Sequence, residues 1–281
     1  MICRIPVAHL HGGEATEGLI DEAIRHSITK MSHLHFVATE TYKKRVIQLG
    51  ENPSRVFNVG GFGIDNIVSL DFLDKQSLES SLNFTLRERN FLITFHPVTL
   101  ENATAQEQFK ALLDALKSLS TRYDIGYIFT KANADTDGRI INDMIDEFVS
   151  THSNAIAFTS MGQLRYLSTM RFVNAVVGNS SSGLGEAPSF KVATINIGDR
   201  QKGRLMPESV LTITPNPNDE KAYIQAILDS IHTITSKDFM DKAITHPFGN
   251  GTTSQQMIQI LQNTLYNDTI NLKKAFYDIE P

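Results

Sequence analysis

The sequence predicts an α/β protein of two domains built on parallel sheets. Short apolar, β-branched runs alternate with segments of helical period along most of the chain. Strands separated by single helices form parallel sheets covered on both faces. At 281 residues the chain is also long enough for two domains of ordinary size. A third observation places the chemistry. The apolar run Phe172–Val177 reads as a buried parallel strand and leads into Gly178-Asn179-Ser180-Ser181-Ser182-Gly183-Leu184-Gly185-Glu186-Ala187-Pro188. Leu184 to Phe190 then reads as a short helix. A strand, small hydroxyl and glycine residues, and a helix start form a geometry that holds phosphate through backbone N–H groups, the helix dipole and serine hydroxyls. The same residues also make an ordinary N-capped turn. Glu186, one helical turn in, stands where a carboxylate reaches a ribose diol.

Composition narrows the class. Hydrophobic residues make up 41% and charged residues 20%, as in a soluble globular protein. The net charge of −5 gives no electrostatic reason to expect nucleic acid or an anionic membrane as partner. The single cysteine, Cys3, cannot form an internal disulfide, which suits a reducing cytoplasm. No apolar run approaches the length of a membrane span, and Met1–Pro6 lacks signal-peptide anatomy. The expectation is a cytoplasmic protein.

In chain order, Ile5–His9 reads as a short strand running into His11-Gly12-Gly13-Glu14. That glycine turn stands at a strand's C-terminal end, the edge where ligands bind in open α/β sheets. Gly18 to Lys30 reads as a helix whose buried face is Ile20, Ile24, Ile28 and Met31. Asp21 and Arg25 are i,i+4 neighbours beside that face, and Asp21 and Glu22 lie in the first turn, where the dipole alone favours carboxylates. Strands are expected at His35–Ala38 and Val56–Val59, with a helix at Glu40–Leu49 stopped by Gly50. Gly60-Gly61-Phe62-Gly63 is a candidate hinge. The second domain repeats the unit: strands at Asn90–Phe95, Ile125–Phe129, Ala155–Phe158, Phe172–Val177, Ala193–Ile197 and Ser209–Thr214. Helices are expected at Ala103–Ser118, from Gly138 to about Val149, at Met161–Met170, Lys221–Thr235 and Gln255–Tyr266.

Further polar residues follow strand ends. His96, fixed by Pro97, is a phosphate donor or a residue satisfied by its own loop. Arg200 and Arg204 flank a loop; arginine is the natural bidentate partner of phosphate, and equally of surface carboxylates. Asn133 and Asp135 are common turn formers. The pairs His9/His11 and His33/His35 have zinc-like alternation, but no cysteine or third ligand at tight spacing accompanies them, so no metal is expected. What raises these residues above their separate bland uses is convergence. His11, Glu14, His96, Asn133, Asn179–Gly183 and Arg200 all follow C-terminal ends of expected parallel strands, and in a two-domain α/β protein those ends face one cleft.

At these residues the sequence resembles the hydrolysing UDP-N-acetylglucosamine 2-epimerases of the bacterial sialic-acid and legionaminic-acid pathways. The matching stretches are His9–Glu14, Asp21–His26, Thr29–Phe36, Gln48–Glu51, His96–Thr99, Asn133–Asp135, Gly178–Pro188 and Gly198–Arg204, spread from about residue 5 to about residue 262. The resemblance implies two Rossmann-like domains in the glycosyltransferase-B arrangement, divided at 1–62 and 63–262, with 263–281 returning toward the first domain and Gln255 onward supplying the returning helix. It implies no cofactor and no metal, a nucleotide-sugar substrate, and a homo-oligomer in the complete form. The reaction implied removes the C2 proton and expels UDP to give a glycal, to which water adds with inverted C2. Ser180 and Ser181 would hold the phosphates, with Asn179, Ser182 and Gly183 in the same loop. Glu186 would hold the ribose, and His96 would contact the diphosphate. Asn133, Arg200 and Arg204 complete the substrate set. Asp21 would be a catalytic carboxylate, with Arg25 orienting it or the sugar. Many relatives carry Glu where this chain has His11, which leaves the proton work to His11 or Glu14.

Family members begin with three or four further β–α elements, so the first domain is expected to be truncated, through a fragment or a misassigned start. Other readings are a nucleotide-sugar-binding remnant with little or no activity, an epimerase of UDP- or GDP-linked 2,4-diacetamido-trideoxyhexoses, and a glycosyltransferase of the same architecture.

Overall fold

The structure is a computed structural model that describes all residues except 1, 18, 99–104, 134–136, 215–218, 237–238, 240–245, 268–269 and 280–281. Gly18 and Ala103, expected helix starts, and Thr99 and Asp135, expected loop residues, lie outside the described residues. The chain divides into two units, Met1–Ser69 with His246–Pro281, and Leu70–Thr245.

The first unit opens with β1 (Ala8–Leu10), α1 (Asp21–Met31), β2 (Leu34–Val37), α2 (Glu40–Gln48), β3 (Val56–Asn58) and α3 (Phe62–Ser69). The strands form a parallel sheet in the order β1-β2-β3, with His9 opposite His35 and Phe36 opposite Phe57. Thr39 caps α2 by accepting the Tyr42 N–H. The expected orientation of α1 is reversed. Ile20, Ile24, Ile28 and Met31 are between 36 and 59% exposed, while Thr29 is buried and meets His9 Nδ1 at 3.1 Å. The reason lies in the sheet. β1 is an edge strand, and α1 is anchored to the unit through its polar side, leaving the apolar stripe without a neighbouring layer to cover it.

The second unit starts with α4 (Lys75–Leu82), β4 (Arg89–Thr94), α5 (Ala105–Ser120), β5 (Ile125–Thr130), α6 (Gly138–Thr151), β6 (Ala155–Phe158) and α7 (Gly162–Met170). It continues with β7 (Ala175–Gly178), the one-turn helix α8 (Ser182–Gly185), β8 (Ala193–Ile197), β9 (Val210–Ile213) and α9 (Glu220–Ile234). The expected Leu184–Phe190 helix is two pieces, α8 and a 3-10 turn at Ala187–Phe190, because Pro188 has no N–H to continue an α-helix. α3, α4 and a 3-10 turn at Pro53–Arg55 occupy stretches where the pattern predicts no element; α4 buries only Leu78 and Leu82, too sparse a period to read. All strands are parallel, in the order β6-β5-β4-β7-β8-β9. The core packs Phe91, Ile93, Tyr127, Phe129, Val177 and Ile195 against α5, α6 and α9. The chain steps outward one way from β4 to β6 and the other way from β7 to β9. The junction of β4 and β7 is therefore a topological switch point, the place where open α/β sheets bind ligands.

The last helix, α10 (Thr253–Tyr266), belongs to the first unit. Asp65 on α3 accepts the N–H groups of Thr253 (3.0 Å) and Ser254 (2.6 Å), capping α10 from a distance in sequence. Met257 packs with Leu34, Phe36 and Val59. Gly60 has φ +88°, and an added Cβ would come within 2.9 Å of Phe248 O, so the glycine cluster is packed against this return. These contacts put the unit boundaries after Ser69 and before His246, whereas the glycine cluster suggests 62/63 and the resemblance 262/263. Beyond α10, Lys274 donates to the carbonyls of Lys30 (2.9 Å) and Ser32 (2.7 Å) at the C-terminus of α1, and the Tyr277 N–H donates to Gly50 O.

The open stripe on α1 has a measurable consequence. Ile24→Glu in the 281-residue chain is expected to change unfolding free energy by no more than about 0.5 kcal/mol and to reduce self-association. Denaturant melts and sedimentation velocity check this; a loss of about 2 kcal/mol or more would show that the stripe is packed after all.

Candidate functional site

The second unit gathers its polar residues at the switch point. Gly178 ends β7 with φ +130°, and an added Cβ would lie 1.9 Å from Thr94 O, so only glycine lets the two strand ends approach. The Asn179 side chain is buried and pairs with the His96 backbone twice, accepting its N–H at 2.7 Å and donating to its carbonyl at 2.7 Å. Asn179 O accepts Gln201 Nε2 (2.6 Å) and Arg200 Nη1 (3.3 Å), and Arg204 Nη1 donates to Gln201 Oε1 (2.8 Å). Of the expected substrate residues, His96, Asn133, Asn179 and Arg200 are thus brought together, with Arg204 tied in through Gln201. His96 Nδ1 accepts the Asn133 N–H at 3.2 Å, which puts the proton of the neutral imidazole on Nε2.

The serine turn stands on this base. Ser181 is exposed, Ser180 and Ser182 are half-buried, and Gly183 is buried against Thr194, whose hydroxyl donates to Gly183 O at 2.8 Å. An added Cβ at Gly183 would come within 2.5 Å of Thr194 Cγ2. Glu186 is half-buried, and burial holds its carboxyl above the usual carboxylate range.

The first unit gathers a second group around a buried carboxylate. His11 (φ +63°) and Gly13 (φ +80°) turn the chain after β1, and an added Cβ on Gly13 would meet Tyr42 O at 2.3 Å. The turn delivers Glu14 into the interior. There Tyr42 OH donates to Oε1 (3.3 Å), Arg25 Nη2 stands 3.7 Å from Oε2, and His11 Nε2 is 3.6 Å from Oε1. Arg25 Nη1 also donates to Thr16 Oγ1 (3.0 Å) and Glu14 O (3.3 Å). Glu22 accepts the Thr16 N–H at 2.5 Å and meets His26 Nε2 at 2.9 Å. Burial raises the Glu22 carboxyl, but the Thr16 N–H, His26 and Arg25 outweigh it and hold the group below its ordinary range. Arg25 therefore serves Glu14 and Glu22, where the i,i+4 spacing pairs it with Asp21. Asp21 is exposed at the first turn of α1 and, among the described residues, its carboxylate has no hydrogen bond. A guanidinium reaching inward finds fixed acceptors there; one reaching Asp21 would find only a hydrated carboxylate.

Histidines 9, 33 and 35 have other partners: Thr29 Oγ1, the Val7 N–H, and Glu51 Oε2 at 2.9 Å. Burial, against the pull of Glu51, lowers the His35 imidazole to about 4. Among the described residues no three His, Cys, Asp or Glu side chains converge as a metal set. Nor is any helix of the described residues long and apolar enough to cross a membrane.

Tyr42 and Gln201 take part in these groups without being singled out by the sequence, and Glu22 does so where the sequence marks it only as a first-turn carboxylate. Glu22 adjoins Asp21, and Gln201 lies inside the Gly198–Arg204 stretch, so both had a local signal. Tyr42 meets Glu14 across 28 residues, which no spacing rule reveals.

The profile of the family described as UDP-N-acetylglucosamine 2-epimerase matches residues 1–262. The chain belongs to the UDP-N-acetylglucosamine 2-epimerase family. Within it, the chain is 47% identical over 221 residues to a GDP/UDP-N,N'-diacetylbacillosamine 2-epimerase (hydrolyzing) of Campylobacter jejuni, covering 78% of this chain and 57% of that protein. It is 39% identical over 278 residues to a polysialic acid biosynthesis protein of Escherichia coli, covering 98% and 68%. The chain thus spans little more than half the length of the first relative and about two-thirds of the second. A solved UDP-GlcNAc 2-epimerase of Neisseria meningitidis, bound to UDP-GlcNAc, matches 93% of the chain and 71% of its own with a TM-score of 0.76 at 20% identity, which shows the epimerase fold.

The raised Glu186 carboxyl gives a signed expectation. A carboxyl that binds its proton more tightly folded than unfolded loses stability as pH rises from the ordinary carboxylate range through its folded value. Glu186→Gln should therefore melt at a higher temperature than the parent at neutral pH, with the gap closing as pH falls through that range. Thermal melts across pH 4–8 check this; a lower melting temperature at neutral pH would show that the charge is stabilised in the fold.

Proposed function

We propose that the chain is a hydrolysing nucleotide-sugar 2-epimerase, taking an N-acetylated sugar linked to UDP and releasing the 2-epimer with free nucleoside diphosphate. The observation that carries the reading is the pairing of His96 with Asn179, the residue before the serine turn, at the β4–β7 switch point, in a chain of this family. The UDP-GlcNAc bound in the Neisseria structure supports a nucleotide-sugar ligand. In this reading Ser180, Ser181 and the turn's backbone receive the diphosphate, Ser182 holds Ser180, and His96, Arg200 and Arg204 add donors or charge. Glu186 takes the ribose hydroxyls. Asn179 acts from beneath by fixing His96, and Asn133 by fixing the imidazole tautomer.

The first unit carries the proton chemistry. A base removes the C2 proton, the electron pair forms the C1–C2 double bond, and the C1–O bond breaks with its pair leaving on the diphosphate. Water then adds its oxygen to C1 while C2 is protonated on the opposite face. Asp21 is the accessible carboxylate for one transfer. Glu14, held by Tyr42 and Arg25, and His11 beside it supply the other group. The name of the 47% identical relative favours a 2,4-diacetamido sugar on UDP or GDP over UDP-GlcNAc as substrate.

Incubation with UDP-GlcNAc and with UDP- and GDP-N,N'-diacetylbacillosamine, without an acceptor, tests the proposal. A hydrolysing epimerase releases a free 2-epimer and nucleoside diphosphate. A nucleotide-linked epimer would indicate the non-hydrolysing reaction, and binding without products a remnant. Asp21→Asn should keep UDP affinity within about 2-fold while lowering turnover by about 100-fold or more. Ser181→Ala should cost UDP binding about 1.5–3 kcal/mol by calorimetry. Unchanged UDP affinity in Ser181→Ala would remove the serine turn from the site.

A further inference from the structure

The serine turn belongs to a line of hydroxyl groups that includes Tyr166 and Thr94, to which the functional reading gives no task. Tyr166 on α7 hydrogen-bonds through its phenol to Ser182 Oγ. Ser182 Oγ donates to Ser180 Oγ at 3.2 Å, and the Ser182 N–H stands 3.4 Å from the same oxygen. The Tyr166 phenol also interacts with Thr94, and Thr94 Oγ1 is hydrogen-bonded to Thr130 Oγ1. The line thus joins the ends of β4 and β5, one helix and the turn after β7.

Counting protons gives the line a direction. Each hydroxyl has one proton and two lone pairs. With the Ser182 proton directed to Ser180, Ser182 is left to accept, and the proton it accepts is the phenol's. Ser180 Oγ then receives the Ser182 O–H and N–H, which occupy its lone pairs. Its own proton has the Tyr166 oxygen in reach and turns to an acceptor outside the line when a ligand supplies one. Burial pushes the Tyr166 phenol up to about 12, so it stays a neutral donor across the working pH range. A serine so committed suits a ligand whose exposed oxygens only accept, as those of a diphosphate do.

We propose that Tyr166 is a positioning residue for the diphosphate, its hydroxyl setting the direction of the Ser182–Ser180 hydrogen bonds so that Ser180 meets the ligand as a donor. The inference rests on the phosphate reading of the serine turn. Removing the phenol oxygen frees Ser182 to turn, and Ser180 loses its fixed polarity while the ring keeps its packing.

The test compares UDP with uridine, which shares the nucleoside and lacks the phosphates. In Tyr166→Phe, UDP affinity should fall about 3- to 10-fold, the effect of one hydrogen bond, while uridine affinity stays unchanged. Calorimetry for UDP and ligand-observed NMR titration for uridine read the two, with a thermal melt as the folding control. A purely structural Tyr166 would weaken both ligands alike, which overturns the inference. If Tyr166→Phe does not fold, Thr94→Val, which removes the other hydroxyl that interacts with the phenol, stands in. It should weaken UDP and spare uridine, and equal losses or none would overturn the inference. Wild-type protein that binds UDP beside a Tyr166→Phe of equal affinity would sink the inference and leave the phosphate reading standing. A wild-type chain without UDP affinity would sink both.

Discussion

The second unit depends on one buried amide. Asn179 sits just past β7, and its side chain takes both the donor and the acceptor of the His96 backbone just past β4. Neighbouring parallel strands separate into different loops at a switch point, and past the Asn179 N–H bond to Thr94 O nothing in the ladder holds those loops together. The amide does, and it succeeds because Gly178 lets the backbone come against Thr94 O. Leaving either partner unpaired would strand a buried polar group at a cost of about 1–3 kcal/mol. Everything the site offers is referenced to this junction: the imidazole above it, the serine turn that follows it, and the Arg200–Gln201 loop that closes on Asn179 O.

The two units solve different electrostatic problems. The second presents neutral donors and guanidinium groups around a turn of hydroxyls, with the carboxyl of Glu186, just after α8, kept above its ordinary range by burial. The first collects carboxylates and neutralises them locally. Glu14 has Tyr42 and Arg25, Glu22 has Thr16 and His26, and Glu51 has His35, Lys30 and Lys274. The Glu51 cluster also ties the C-terminal segment to the sheet, since Lys274 caps α1 with the same ammonium that pairs with Glu51. Asp21 stays outside these clusters. A carboxylate without a fixed partner is one that a substrate can engage without first breaking a salt bridge.

Local chemistry made much of this legible. β6 and β8 fall where β-branched, apolar runs place them, and α5, α6 and α9 follow their helical periods to within a few residues. The strand-to-serine junction at 177–183 and the glycine turn at 12–13 were readable because glycine there answers a steric demand of the backbone. α4 was not, since two buried leucines in eight residues give no period. The helical period of α1 points to the wrong face for a related reason. Periodicity reports which residues share a side of a helix, and only the position of β1 at a sheet edge reports that this side has no layer against it.

The sequence by itself determined the parallel α/β class, the family, and the loops in which polar residues gather, because these follow from short-range pattern and ordered motifs. Tertiary structure decided which residues in those loops meet. It turned Arg25 from Asp21 to Glu14 and Glu22, set Asn179 beneath the site, brought Tyr42 and Tyr166 to groups far from them in sequence, and assigned α10 to the first unit through Asp65. Each is a contact across many residues or a choice among equally near acceptors. Such choices are settled by where a buried polar group finds its partner, and that is fixed only once the strands have packed.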